Sequence, residues 1–127
     1  MSILRPFFLL LILHGYFRSA QPAPAADEKG WFGMAVSVDA EGISFNPAIR
    51  SITVVTVVAS SPAGSAGMFA GDAIVEAEGI IVAGAKASVL KAAMQKKVGD
   101  ALHLKIRRGT AAPRELTLVA VSKPPGN

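Results

Sequence analysis

Hydrophobic positions in this chain fall into short runs broken by glycine, and most of the runs have a period of two. Ser51–Ala59 is dense in β-branched residues, which fit a pleated, half-buried surface, so it predicts a strand placed centrally in its sheet. From Phe32 the larger apolar residues recur at Met34, Val36 and Val38, with Ala35, Ser37 and Asp39 between them. That alternation predicts a half-buried strand, which Gly33 interrupts near its start. Ala73–Ala77 is a third strand, turned by Glu78-Gly79 into a small one at Ile80–Val82. Ala101–Gly109 alternates Leu102, Leu104 and Ile106 inward with His103, Lys105 and Arg107 outward. A hairpin loop at Gly109–Pro113 leads to Arg114–Val121, which places Leu116, Leu118 and Ala120 on one parity. Residues 40–50 predict a loop, within which Ile43–Phe45 suits a short strand.

Two helices complete the pattern. Ala85–Lys97 carries Leu90, Ala93, Met94 and Val98 at helical spacing and turns Lys91, Gln95 and Lys96 outward. Lys96 and Lys97 suit its carboxy-terminal dipole and Gly99 ends it, but no clear N-cap residue precedes it. A shorter helix starts at Ser61, a good N-cap, with Pro62 in the first helical position. Gly67 and Gly71 stop it, and the Asp72 carboxylate closes the turn on nearby backbone N–H groups.

Composition agrees with a folded chain. Of 127 residues, 51% are hydrophobic and 17% charged, which suits one small domain plus a targeting or linker segment. The amino terminus predicts a signal peptide over residues 1–25. Arg5 supplies the positive region, Phe7–Leu13 the apolar run, and Ala23-Pro24-Ala25 the cleavage site. The apolar run is well short of the roughly 20 residues a membrane-spanning helix needs. The expected product is therefore exported to a periplasm or secreted; an uncleaved leader would instead tether it to the inner membrane. Residues 26–29 complete a flexible leader, and residues 123–127 form a flexible tail. Without residues 1–25 the balance is eleven Lys/Arg to nine Asp/Glu, a net charge of +2, too mild for a nucleic-acid partner.

Candidate chemistry is sparse. With no cysteine, disulfides, thiolate catalysis and cysteine-held metals are excluded. Beyond the leader His103 is the one histidine, on the outward parity of a strand, and no Gly-x-Ser-x-Gly elbow is present, so neither a serine triad nor a zinc site is expected. Gly79–Ser88 imitates a phosphate-binding loop, but Ala85 separates Gly84 from Lys86 and the interior is bulky and apolar. Lys105, Arg107 and Arg108 form a basic strip, expected to be a solvated strand face.

One stretch is specific. Ser61-Pro62-Ala63, then Ala66-Gly67, then Gly71-Asp72, followed by Ala73–Gly79, resembles the central signature of bacterial PDZ domains, those of HtrA-type proteases and related envelope proteins. Trp31-Phe32-Gly33-Met34 resembles the loop whose backbone amides hold a peptide carboxylate in that family. Val98-Gly99-Asp100 resembles its Pro-Gly-Asp, with valine for proline. The resemblance runs from Gly30 to about Val121, in the circularly permuted bacterial order, and places a PDZ-like domain over residues 30–122. It implies an α+β fold, a partly open β-barrel or sandwich of five to six strands with one short and one longer helix. It also implies a non-catalytic module without cofactor that accepts an extended, apolar-ended carboxy-terminal peptide by strand addition. Trp31, Phe32, Gly33, Met34 and Val36 would bind it from the loop and strand, and Val89, Leu90 and Ala93 from the helix. The partner would be a protein or peptide carboxy terminus, such as that of an envelope protease or secretion component. The alternative role is a structural or adaptor subunit of such a complex, with no free peptide binding.

Overall fold

The computed structural model describes residues 28–42 and 44–125. The expected signal peptide at residues 1–25, the start of the expected leader, Ile43 and the last two residues of the expected tail lie outside the described residues.

Among the described residues six strands and two helices follow one another: β1 (Met34–Ala40), β2 (Ile49–Val57), α1 (Pro62–Ser65), β3 (Ala73–Ala77), β4 (Ile80–Ile81), α2 (Ala87–Met94), β5 (Ala101–Arg107) and β6 (Arg114–Val119). The strands form one antiparallel sheet in the order β1-β2-β3-β5-β6, with β4 paired to β3 beside that path. This is an α+β architecture of the kind expected. The central position falls to β3, while β2 is interior but second from the edge. Ser44 and Phe45 are bends, not strand. Glu78 and Gly79 both take positive φ, 50° and 78°, the two-residue turn whose twist suits a hairpin.

The core lies between the sheet and the two helices. Leu102, Leu104 and Ile106 of β5 are buried in the alternation expected, and Leu118 and Ala120 continue that face from the β6 side. Each of these leucines and Ile106 contributes about 1.5–3 kcal/mol by leaving water. Ile52, Val54, Ile74, Met68 and Leu90 belong to the same cluster. β1 does not follow this rule. Among the described residues it pairs only with β2, so one edge is open, and every residue from Ala35 to Asp39 is exposed. The parity expected for Val36 and Val38 is kept, but no core covers them; they are 36% and 51% exposed.

The longer helix is shorter than its periodicity suggests. It ends at Met94, not at Gly99, because the chain beyond is captured by the amino-terminal segment. Gly30 N–H donates to Lys96 O at 2.8 Å, Lys29 bridges Lys97, and Val98 N–H donates to Glu28 O at 3.0 Å. Glu28 and Lys29, assigned to the leader from sequence, are thus hydrogen-bonded to the domain. Gln95 N–H still donates to Lys91 O at 3.1 Å, as in a helix, and beyond it those tertiary bonds take over. At the other end Lys86 provides no side-chain cap. The cap comes from across the loop instead: Ser88 N–H donates to Asn46 Oδ1 at 2.8 Å, and Ala87 N–H to Pro47 O at 2.9 Å.

Candidate functional site

The open edge of β1 and the adjacent face of α2 enclose a cleft. It begins at the segment Gly30–Gly33, which is fastened on both sides. Trp31 exchanges two backbone hydrogen bonds with Val121, at 2.8 and 3.1 Å. Phe32 O accepts from Ala63 N–H at 3.0 Å, and Gly33 O from Val58 N–H at 2.7 Å. The carbonyls are therefore spent on the body of the domain. Among the described residues the N–H groups of Phe32 and Gly33 have no acceptor within the chain. Unspent neighbouring amides in a loop form a cradle for an anion.

Ser61 holds this loop from behind. It caps α1, accepting from Gly64 N–H at 3.1 Å, and its hydroxyl donates to Val58 O at 2.7 Å. Gly33 has a φ of +79°, a conformation strained for any residue with a Cβ.

The cleft has two adjoining hollows. One, of about 380 Å³, is lined by the Lys29–Met34 segment, Val36 and the end of α2 with Lys91, Met94, Gln95 and Lys96. The other, of about 250 Å³, continues along β1 beside Val36, Val38, Ile52, Ala87, Leu90, Lys91 and Met94. Phe32 and Met34 also pack on the core, so the floor of the first hollow is held in place.

The structure brings Trp31, Phe32, Gly33, Met34, Val36 and Leu90 to this cleft. Val89 and Ala93 do not line it; α2 presents Ala87, Leu90, Lys91 and Met94 instead. The helix is rotated by about one residue from the facing read in the sequence. Lys91, assigned to the solvent side, overhangs both hollows, and a Leu/Met stripe alone could not fix the rotation. Lys29 and Lys96 were also missed; only their three-dimensional convergence marks them.

Behind the cleft a charged turn braces the fold. Asp72 is 1% exposed and accepts two bonds from Arg108, Nε to Oδ1 at 2.9 Å and Nη2 to Oδ2 at 3.0 Å. Phe69 N–H donates to Oδ2 at 2.9 Å, which is the turn-closing role expected of Asp72. The hydrogen bonds from Arg108 hold the Asp72 carboxyl below its usual range, against the opposing effect of burial. Arg108 also lies over the Phe69 ring, 4.5 Å from its centre. The basic strip is accordingly not a free solvated face: Arg108 is spent on Asp72, and Lys105 Nζ on Glu76 at 2.9 Å.

His103 is exposed, and its Nδ1 lies 3.1 Å from Glu78 Oε1. Among the described residues no serine joins that pair, and no group of three acidic or histidine side chains could hold a metal. No helix among them is long and apolar enough to cross a membrane.

A family model for the PDZ domain matches residues 41–118, a stretch that starts just after β1. No curated protein matches the chain in sequence. Among solved structures, the photosystem II D1 C-terminal processing protease is 22% identical with a TM-score of 0.60, over 87% of this chain and 27% of that one. The PDZ domain of a carboxy-terminal protease from Vibrio cholerae, in complex with peptide, is 20% identical with a TM-score of 0.56, over 74% and 94% respectively. The HtrA-type protease AlgW with decapeptide is 19% identical with a TM-score of 0.55, over 76% and 30%. The match spans less than a third of each full protease but nearly all of the isolated domain.

Proposed function

The chain belongs to the PDZ-domain family, and from that premise we propose that it is a non-catalytic, exported peptide-binding module. An extended carboxy-terminal segment adds as a strand to the open edge of β1. Its terminal carboxylate sits on the amides of Phe32, Gly33 and Met34, and its last side chain enters the apolar hollow over Phe32, Met34, Leu90 and Met94. The observation that carries this reading is the coincidence of an unpaired strand edge, two unspent amides and an apolar hollow at one place. Two of the similar structures hold peptides, which supports the same assignment. Affinity in the micromolar range is expected, because an extended ligand loses chain entropy on docking. The partner would be the carboxy terminus of an envelope protein, such as a protease or secretion component. The alternative is a structural or adaptor subunit of such a complex, with no free peptide binding.

Binding of carboxy-terminal peptides, each paired with its amidated twin, tests the proposal. Trp31 is the one tryptophan and lines the cleft, so its fluorescence reports occupancy directly. Tight binding of the free acid and at least tenfold weaker binding of the amide is expected. Equal binding of both would move the contact to internal segments. Absence of binding would leave the adaptor role.

A further inference from the structure

The charges around the cleft are one-sided. None of the residues lining either hollow is acidic, whereas Lys29, Lys91 and Lys96 are among them. Lys96 is engaged by Glu78 at 3.7 Å. Among the described residues Lys29 and Lys91 have no acidic partner. Elsewhere the cations that face carboxylates are paired: Arg50 with Asp39 and Glu41, Lys105 with Glu76, Arg108 with Asp72. Asp39 and Glu41 also lie at the far end of β1, away from the Gly33 loop. The cleft is therefore cationic where the ligand's terminus docks, and it retains more positive charge than one terminal carboxylate neutralises.

Lys91 has a particular place, because it lines both hollows. Along an added strand the last and the antepenultimate side chains point the same way, roughly 6.8 Å apart at about 3.4 Å per residue. With the last side chain in the Trp31–Met34 hollow, the antepenultimate one faces the hollow beside Val36 and Val38. Lys91 is the one charged residue lining that second hollow. A glutamate there would lay its methylenes on the apolar wall and carry its carboxylate towards solvent, within reach of the exposed Lys91 side chain that lines the hollow.

We infer that the cleft selects apolar-ended carboxy-terminal peptides bearing an acidic side chain at the antepenultimate position, and that Lys91 is the residue that reads it. The inference rests on the strand-addition reading above. The selectivity is electrostatic, so it is modest and falls with salt.

The test uses the chain and three labelled hexapeptides, Ala-Ala-Ala-X-Ala-Val, with X as Glu, Gln or Lys and a free carboxylate. An amidated Gln peptide is the control. At about 20 mM salt the Glu peptide should bind about three- to fivefold tighter than Gln, and Lys weaker than either, with the spread closing towards 0.5 M salt. Moving the Glu to the penultimate position should remove the advantage. The readout for Lys91→Gln is the Glu-to-Gln affinity ratio, expected to fall to about one, while Lys91→Arg keeps it. Carboxylate-dependent binding with equal Glu and Gln affinities would overturn this inference and leave the proposed function standing, as would a preference that survives Lys91→Gln. Failure of every peptide to bind would overturn both.

Discussion

Ser61 lies directly behind Gly33: its hydroxyl stands 3.5 Å from the Gly33 carbonyl oxygen, and a Cβ added to Gly33 would overlap the Cβ of Ser61. Twenty-eight residues apart in the chain, the two bring the cap of α1 against the loop that opens the cleft. The glycine is required twice, by its positive φ and by this close approach.

Gly33→Ala should therefore cost at least about 2 kcal/mol, combining left-handed strain with overpacking against Ser61. Thermal unfolding should show a lowered midpoint. Peptide binding should weaken further than the loss of folded protein accounts for, because the amides of the loop would shift. An unchanged midpoint would mean that the loop relaxes freely and that Ser61 does not hold it.

Val36 tests the cleft without the core. It is on the open strand, lines both hollows and is more than a third exposed. Val36→Asp should leave the melting temperature within a few degrees and weaken binding of an apolar-ended peptide by tenfold or more. Met34 is the less clean site, since it also packs on the core. Retained affinity in the Val36 variant would remove β1 from the binding surface.

The Asp72–Arg108 pair predicts an acid-sensitive share of the stability. The Asp72 carboxyl is held below its unfolded value of about 3.9, so the pair's contribution is complete above that pH and is lost as pH falls through the lower folded-state value. Asp72→Asn should cost about 2 kcal/mol at neutral pH, as for a lost hydrogen bond to a charged group. It should also flatten the decline in stability below about pH 4. Urea unfolding from pH 2.5 to 7 measures both. Parallel curves for the two proteins would show that another carboxylate carries the acid sensitivity.

Asn46 predicts a cap supplied across 42 residues of chain. Asn46→Ala should destabilise by about 1 kcal/mol, and Asn46→Asp should restore most of it, since either side chain accepts from Ser88 N–H. Hydrogen exchange at the Ala87–Leu90 amides should rise in the alanine variant, and an unaltered rate there would place the cap elsewhere.

Much of this protein was legible in its residues. The period-two runs place β1, β5 and β6, and put Leu102, Leu104 and Ile106 on the buried side. Ser61, Pro62 and Asp72 announced α1 and the turn after it through local hydrogen bonds that span only a few residues. Such features are readable because a strand's alternation and a helix's cap are consequences of neighbouring residues alone.

What the tertiary structure decided involves partners far away in the chain. Ala85–Lys97 has a helical pattern throughout, but its end is drawn into bonds with Glu28–Gly30, and its start is capped by Asn46. Val89 and Ala93 share a plausible stripe with Leu90, yet the way α2 rests on the sheet gives the cleft to Ala87, Leu90, Lys91 and Met94. Arg108 reads as one more solvated cation until the fold sets it on a buried carboxylate 36 residues earlier. The alternation of Met34, Val36 and Val38 likewise shows only which side is apolar. Whether a core or a ligand covers that side depends on what the rest of the chain brings to it, and here α2 stands back and leaves the strand open. A local pattern encodes a face, whereas the occupant of that face is set by packing between elements that the pattern does not contain.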